Sequence, residues 1–269
     1  MAEIIMLGTG DATARKRYNT CFILRDRATA MLVDGGGGNG ILAQLNAAGI
    51  SFRNIDAIFL THAHTDHILG VVWVLRMIGE MALDGEEMRG YRVFSHDEGI
   101  RALVIICRAT LSEKVWAEVS RLVEFVEIRD GDNFELSDAF ALRCIDLRAG
   151  GMKQFGFVAT VGSGVRVACM GDVPAPDGIE REIAGCDWLL HEAFCPESQR
   201  AIYHPELICH CTALEAGRIA RHLNVRHLLL YHRADYSHGA SKDDYIRECE
   251  SVFSGRVVIP EDLQAITVD

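Results

Sequence analysis

The sequence predicts an α+β fold in which helices cover the outer faces of β-sheets. Short β-type apolar runs alternate with helical segments in both halves of the chain. The 269 residues, 49% hydrophobic and 24% charged, suffice to bury a sizeable core. No Pro/Ser-rich linker or low-complexity block divides them, so one domain over residues 1–269 is expected.

The elements follow in chain order. Met1 to Gly8 runs straight into a strand-like segment with no basic stretch before it, so no secretory leader is expected. β-branched and aromatic runs predict strands at 3–7, 20–24, 30–33, 57–60, 92–94, 141–145, 155–161, 165–170, 188–190, 227–231 and 257–259. Helical spacing predicts helices at 41–48, 68–78, 98–109, 212–223 and 242–253. The fourth opens on Thr212-Ala213-Leu214-Glu215, a capping box, and Ser241 with Asp244 gives the fifth a similar start.

Composition excludes several functions. A net charge of -11 without a Lys/Arg-rich run opposes tight binding of long polyanions, so long nucleic acid is not an expected partner. No apolar run approaches the roughly 20 residues that cross a bilayer, so no membrane association is expected. The nine cysteines are scattered, odd in number and without a CxxC pair, which favours reduced thiols and a cytoplasmic location.

The chemistry is concentrated in Thr61-His62-Ala63-His64-Thr65-Asp66-His67, directly after the apolar run Ile58-Phe59-Leu60. In an extended segment residues i and i+2 point the same way, so His62 and His64 can grip one ion. Asp66 and His67 sit where the chain turns into the apolar helix beginning at Ile68. There they can face a second ion, about 3.5–4 Å from the first as in two-metal hydrolytic sites. Imidazole and carboxylate without thiolate suit Zn²⁺, with Mn²⁺ or Fe²⁺ as alternatives.

This motif, with Leu7-Gly8-Thr9-Gly10, Val33-Asp34-Gly35-Gly36, Met170-Gly171-Asp172 and Leu230-Tyr231-His232, resembles the metallo-β-lactamase superfamily. Leu190-His191-Glu192-Ala193 and His210-Cys211-Thr212-Ala213 are similar to its ribonuclease Z and cyclic-phosphate phosphodiesterase branch. The resemblance implies a four-layer αββα sandwich with metals between the sheet edges. It implies His62 and His64 on the first metal, Asp66 and His67 on the second, Asp172 bridging, and His232 completing the second site. It also makes a homodimer an assembly to expect.

One ligand of that pattern is missing. The family's central histidine should precede Phe155-Gly156-Phe157, and Gly150 stands in its place. Three outcomes follow: a loosely held first metal, a stand-in ligand, or one ion in the second site alone. Asp146, His191, His204 and Cys209 are the candidate stand-ins.

The function implied is a metal-dependent phosphodiesterase acting on a small phosphodiester or cyclic phosphate through a hydroxide held by the metals. Asp66 would orient that hydroxide or take its proton. His210 would protonate the leaving oxygen, hydrogen-bonded to and kept protonated by Glu192. The Gly/Pro-rich arm that grips tRNA in ribonuclease Z is absent, because residues 151–171 hold only two strands, which favours a small-molecule substrate. The alternatives are a hydrolase of lactones, thioesters or sulfate esters, or a catalytically silent metal-binding protein, the latter motivated by Gly150. The run Gly35 to Gly40 is expected mainly as backbone near the metals, with His96, His222, His227 and His238 at the surface or satisfied in the core.

Overall fold

The β-type apolar runs found in the sequence become strands, and those at 30–33, 57–59 and 188–192 are buried along their whole length. The computed structural model describes residues 2–27, 29–235 and 240–269. His238 lies outside them. The first half contains β1 (Ala2–Gly8), β2 (Cys21–Arg25), β3 (Ala30–Val33), α1 (Gly40–Ala47), β4 (Ala57–Phe59) and α2 (Thr65–Leu83). β5 (Tyr91–Ser95), α3 (Asp97–Thr110), α4 (Glu113–Leu122), β6 (Val123–Glu127), β7 (Asn133–Ser137) and β8 (Phe140–Asp146) follow. Next come β9 (Phe155–Val161), β10 (Val165–Cys169), α5 (Glu180–Ile183), β11 (Trp188–Glu192) and α6 (Arg200–Tyr203). The chain ends with α7 (Ala213–His222), β12 (His227–Tyr231), α8 (Lys242–Glu250), β13 (Arg256–Val258) and β14 (Ala265–Val268).

Among the described residues the strands form two seven-stranded sheets, ordered β14-β1-β2-β3-β4-β5-β6 and β13-β12-β11-β10-β9-β8-β7. β3 to β6 run parallel in the first sheet, and β10 to β13 run parallel in the second. The inner faces meet through Phe22, Phe59, Phe94, Phe157, Trp188 and Tyr231, all buried. Phe59 and Phe157 make an edge contact across the sheets, with centroids 4.9 Å apart. A second apolar layer joins the first sheet to α1 through α4, and a third joins the other sheet to α5, α7 and α8. The architecture is the expected αββα sandwich.

Both capping boxes form. Thr212 and Glu215 exchange N–H bonds, and the Asp244 carboxylate accepts from the Ser241 amide at 2.7 Å. Three strands and one long helix go beyond the sequence expectation: β6, β7, β14 and α4. β14 pairs antiparallel with β1 from the opposite end of the chain, a register that no local pattern announces. α2 begins three residues earlier than predicted, so Asp66 and His67 occupy its first turn, where the helix dipole favours the carboxylate. All nine cysteines are free thiols, and only Cys209 is exposed. No helix among the described residues is long and apolar enough to cross a membrane.

Candidate metal centre

Parallel strands deliver their C-terminal ends to one rim of the sandwich, and the candidate residues follow those ends. Thr61 and His62 follow β4, Asp172 follows β10, Glu192 ends β11 and His232 follows β12. Asp66 and His67 enter from the first turn of α2. Asp34 after β3 and His232 after β12 both adopt left-handed backbone, φ 56° and 55°. For residues other than glycine such conformations are strained, and strain of this kind concentrates at functional sites.

His62, His64, Asp66, His67, Asp172 and His232 come together. His62 Nε2 lies 2.9 Å from His64 Nδ1 and 3.6 Å from Asp172 Oδ2. The same Asp172 oxygen is 3.5 Å from His67 Nε2 and 3.5 Å from His232 Nε2. Asp66 Oδ2 is 3.3 Å from His67 Nε2 and 3.5 Å from His232 Nε2. Asp172 thus occupies the middle, between the His62–His64 pair and the Asp66–His67–His232 group.

The fit to a cation rests on atoms left bare. Asp66 Oδ2, His67 Nε2, Asp172 Oδ1 and His232 Nε2 are buried, yet none has a hydrogen-bond partner. Converging unsatisfied imidazoles and carboxylates are costly unless an ion joins them. The ligand atoms of His62, His64 and Asp172 lie within 4.8 Å of one another, as do those of Asp66, His67 and His232. This donor set fits divalent metal binding.

Asp34 fixes His67. Its Oδ2 accepts from His67 Nδ1 at 2.7 Å, and its carboxylate also accepts from Thr61 N and Oγ1, each at 2.8 Å. Such an outer partner sets the tautomer that turns Nε2 toward a metal. Sequence reasoning gave Asp34 only a place in a motif, although an Asp between a strand end and a glycine run was its available signal. Burial, followed by the neighbouring His67, holds His62 well below the usual histidine range, which keeps it neutral as a ligand needs.

Two expectations about the acid need correction. Glu192 does not hydrogen-bond to His210: their closest approach is 3.7 Å, and Glu192 Oε1 instead accepts from the Cys211 amide at 2.6 Å. Nor is His210 kept protonated, because burial, and then the charge of His232, pushes its pKa down to about 4. His210 Nδ1 donates to the Asp172 carbonyl at 2.9 Å, and its ring stacks on Phe194 with centroids 5.1 Å apart. His210 also lies within ligand reach of Asp172 and His232.

The four stand-in candidates do not join the cluster. Asp146 accepts from the Arg148 amide, His191 bonds Ala175 N and the Glu192 carbonyl, and His204 is exposed. Cys209 lines the cleft but belongs to no metal-like group among the described residues. The glycine run is committed to packing: Gly35 N donates to the His67 carbonyl at 2.9 Å, and Gly70 N to the Gly36 carbonyl at 2.8 Å. His222 pairs with Glu180, His227 packs on Trp188, and buried His96 caps α3.

Above the cluster opens a cleft of about 650 Å³, an ordinary size for a small-molecule site. Its walls include Ala12, Ala63, Ala149, Met152, Val173 and Ile208, with His64, Asp66, Asp172, His210 and His232 facing it.

Comparison with known proteins agrees with this geometry. Ribonuclease Z of Bradyrhizobium sp. (strain ORS 278) is 24% identical over 319 residues, covering 100% of both chains. Ribonuclease Z of Nocardia farcinica is 28% identical over 301 residues, covering 98% of this chain and 97% of that one. Among solved structures, the metallo-β-lactamase fold protein YhfI from Bacillus subtilis superposes with a TM-score of 0.79 at 19% identity, covering 99% of this chain and 100% of that one. A diphosphatase of the PhnP family gives 0.75 at 19%, with 100% and 98% covered. The anti-Pycsar protein Apyc1 family matches residues 2–161, more than half of the chain. The chain therefore belongs to the anti-Pycsar protein Apyc1 family and is a metal-dependent hydrolase of the metallo-β-lactamase superfamily, in its ribonuclease Z branch.

Proposed function

We propose that this hydrolase cleaves a small phosphodiester or cyclic phosphate. The observation that carries the reading is the convergence of Asp66, His67, Asp172 and His232, each with a buried ligand atom left bare, beneath an open cleft with His210 beside them. Two divalent ions, Zn²⁺ first and Mn²⁺ or Fe²⁺ as alternatives, would supply a nucleophile from water near neutral pH and neutralise phosphate charge.

The protein's own groups position and relay. His62, His64 and Asp172 would hold one ion, and Asp66, His67, Asp172 and His232 the other. Burial raises the pKa of Asp66, but His232 and His67 outweigh it and hold this carboxylate well below its usual range. Asp66 is thus ionised at working pH and can accept a hydrogen bond from the attacking water. His210 has its Nδ1 proton fixed on the Asp172 carbonyl, which leaves Nε2 for the departing oxygen. A phosphodiester anion in the cleft favours protonated His210, since an adjacent opposite charge stabilises the cationic form. Glu192 acts at one remove, tying down the Cys211 backbone and with it the His210 loop.

A small substrate is favoured over long RNA, which the names of the ribonuclease Z relatives suggest for those proteins. Residues 151–171 hold β9 and β10, leaving no room for an RNA-gripping arm, and the net charge of -11 repels a polyanion. The test is a panel of bis(4-nitrophenyl) phosphate, a nucleoside cyclic phosphate, a lactone, a thioester and an aryl sulfate, assayed with added Zn²⁺ or Mn²⁺. Selective turnover of the phosphodiesters is expected; turnover of the lactone, thioester or sulfate alone refutes the reading.

A further inference from the structure

Gly150 leaves the His62–His64 side of the cluster one ligand short, and it has no side chain to offer. A Cβ built on Gly150 would meet no atom within 4 Å. Gln154 lies four positions further on, just before β9, and is 3% exposed. Its backbone carbonyl accepts from Leu147 N at 3.0 Å, and the next amide, Phe155 N, donates to the Thr61 carbonyl at 3.0 Å. Gln154 is thereby held beside the chain that delivers His62.

The Gln154 side chain reaches toward the other contributor to that site. A Cβ placed on Gly171, the residue before Asp172, would lie 2.9 Å from Gln154 Oε1 and 3.9 Å from Thr61 Cβ. The residue also lines the cleft. Its Oε1 is buried without a hydrogen-bond partner, the condition shared by Asp66 Oδ2, His67 Nε2, Asp172 Oδ1 and His232 Nε2, and Asp66, Asp172 and His232 line the same cleft. An amide oxygen kept buried and bare beside the residue that precedes Asp172, at the wall of the same cleft, has the same explanation as they do.

We propose that Gln154 completes the first metal site, its amide oxygen taking the place of the imidazole absent at Gly150. The donors of that site become two imidazoles, the shared Asp172 carboxylate and one neutral oxygen. Exchanging nitrogen for oxygen moves the site toward harder ions, so Mn²⁺ gains on Zn²⁺ there relative to an all-histidine site. The inference rests on the two-ion reading of the cluster and not on any particular substrate.

The test counts ions rather than turnover. Wild type, Gln154→Ala, Gln154→His and Gln154→Glu are loaded with Mn²⁺ or Zn²⁺, dialysed, and analysed by mass spectrometry for metal content and by chelator competition for affinity. Wild type should retain about two ions per chain. Gln154→Ala should weaken the less tightly held ion by at least about tenfold while leaving the other unchanged. Gln154→His should tighten Zn²⁺ more than Mn²⁺, and Gln154→Glu should tighten both. Should Gln154→Ala fail to fold, the His and Glu variants give the same reading, since both keep a ligand of similar length. Identical affinity in wild type and the folded variants overturns the role of Gln154. A wild-type count of about one ion overturns it differently, by removing the first site itself.

Discussion

Asp34 Oδ2 accepts the Nδ1 hydrogen of His67 at 2.7 Å, and this one bond decides which nitrogen of His67 faces Asp66 and Asp172. Because Asp34 also gathers the Thr61 amide and hydroxyl, it ties the end of β4 to the first turn of α2. Replacing Asp34 by Ala should reduce metal affinity by on the order of 10- to 100-fold. Chelator competition on the folded variant checks this; unchanged affinity would show that His67 needs no such partner.

His210 separates two roles, proton donor and ligand. Acting on the leaving oxygen, it should cost on the order of 10²–10⁴-fold in kcat when replaced by Ala. The retained metal count should equal that of wild type. A His210→Ala protein that loses an ion while the remaining rate changes little would make His210 a ligand instead, a role its closeness to Asp172 and His232 permits.

Gly70 lets α2 press against the glycine run. A Cβ there would lie 1.7 Å from the Gly35 carbonyl oxygen, both parts being backbone with little room to yield. Gly70→Ala should therefore cost about 1–3 kcal/mol or more as an overpacked contact. Thermal unfolding of the metal-stripped protein should show a melting temperature several degrees lower. Gly85→Ala supplies the contrast: no atom lies within 4 Å of its Cβ, and its cost comes only from a φ of +82°.

His191 gives stability a pH dependence. Burial pushes its pKa down to about 4, whereas in the unfolded chain it titrates near 6.5. As pH falls the unfolded state takes up the proton first. The stabilisation is therefore complete above about pH 6.5 and is lost as pH falls toward 4, a contribution of up to about 3 kcal/mol. Urea melts of metal-stripped wild type and His191→Gln at pH 7 and pH 4.5 test this. Wild type should lose more stability between the two conditions; equal losses would place the titration elsewhere.

What the sequence made legible follows the range over which each feature acts. The His62 to His67 cluster is local, and its spacing carries its geometry. Asp172 and His232 were legible because each ends an apolar strand in a recognisable motif. The approach of Gln154 to Gly171 lies at the open end of the β9–β10 hairpin, whereas the Asp34–His67 bond depends on which strands become neighbours, and that pairing is not written in any window of residues. β14 was missed for the same reason, since four residues with alternating burial pair with the far end of the chain. α4 was readable: Ser112 caps it, and Val115, Val119 and Leu122 repeat at helical spacing. Glu192 was misjudged because sequence brings it near His210 without showing that the Cys211 amide reaches its carboxylate first.

Metal-dependent turnover of a phosphodiester tests the central claim most directly. Protein stripped by chelator and supplied with bis(4-nitrophenyl) phosphate should be inactive, should regain activity on addition of Zn²⁺ or Mn²⁺, and should remain inactive as His67→Ala. Turnover that survives metal removal, or that added metal raises no further in wild type than in His67→Ala, would contradict it.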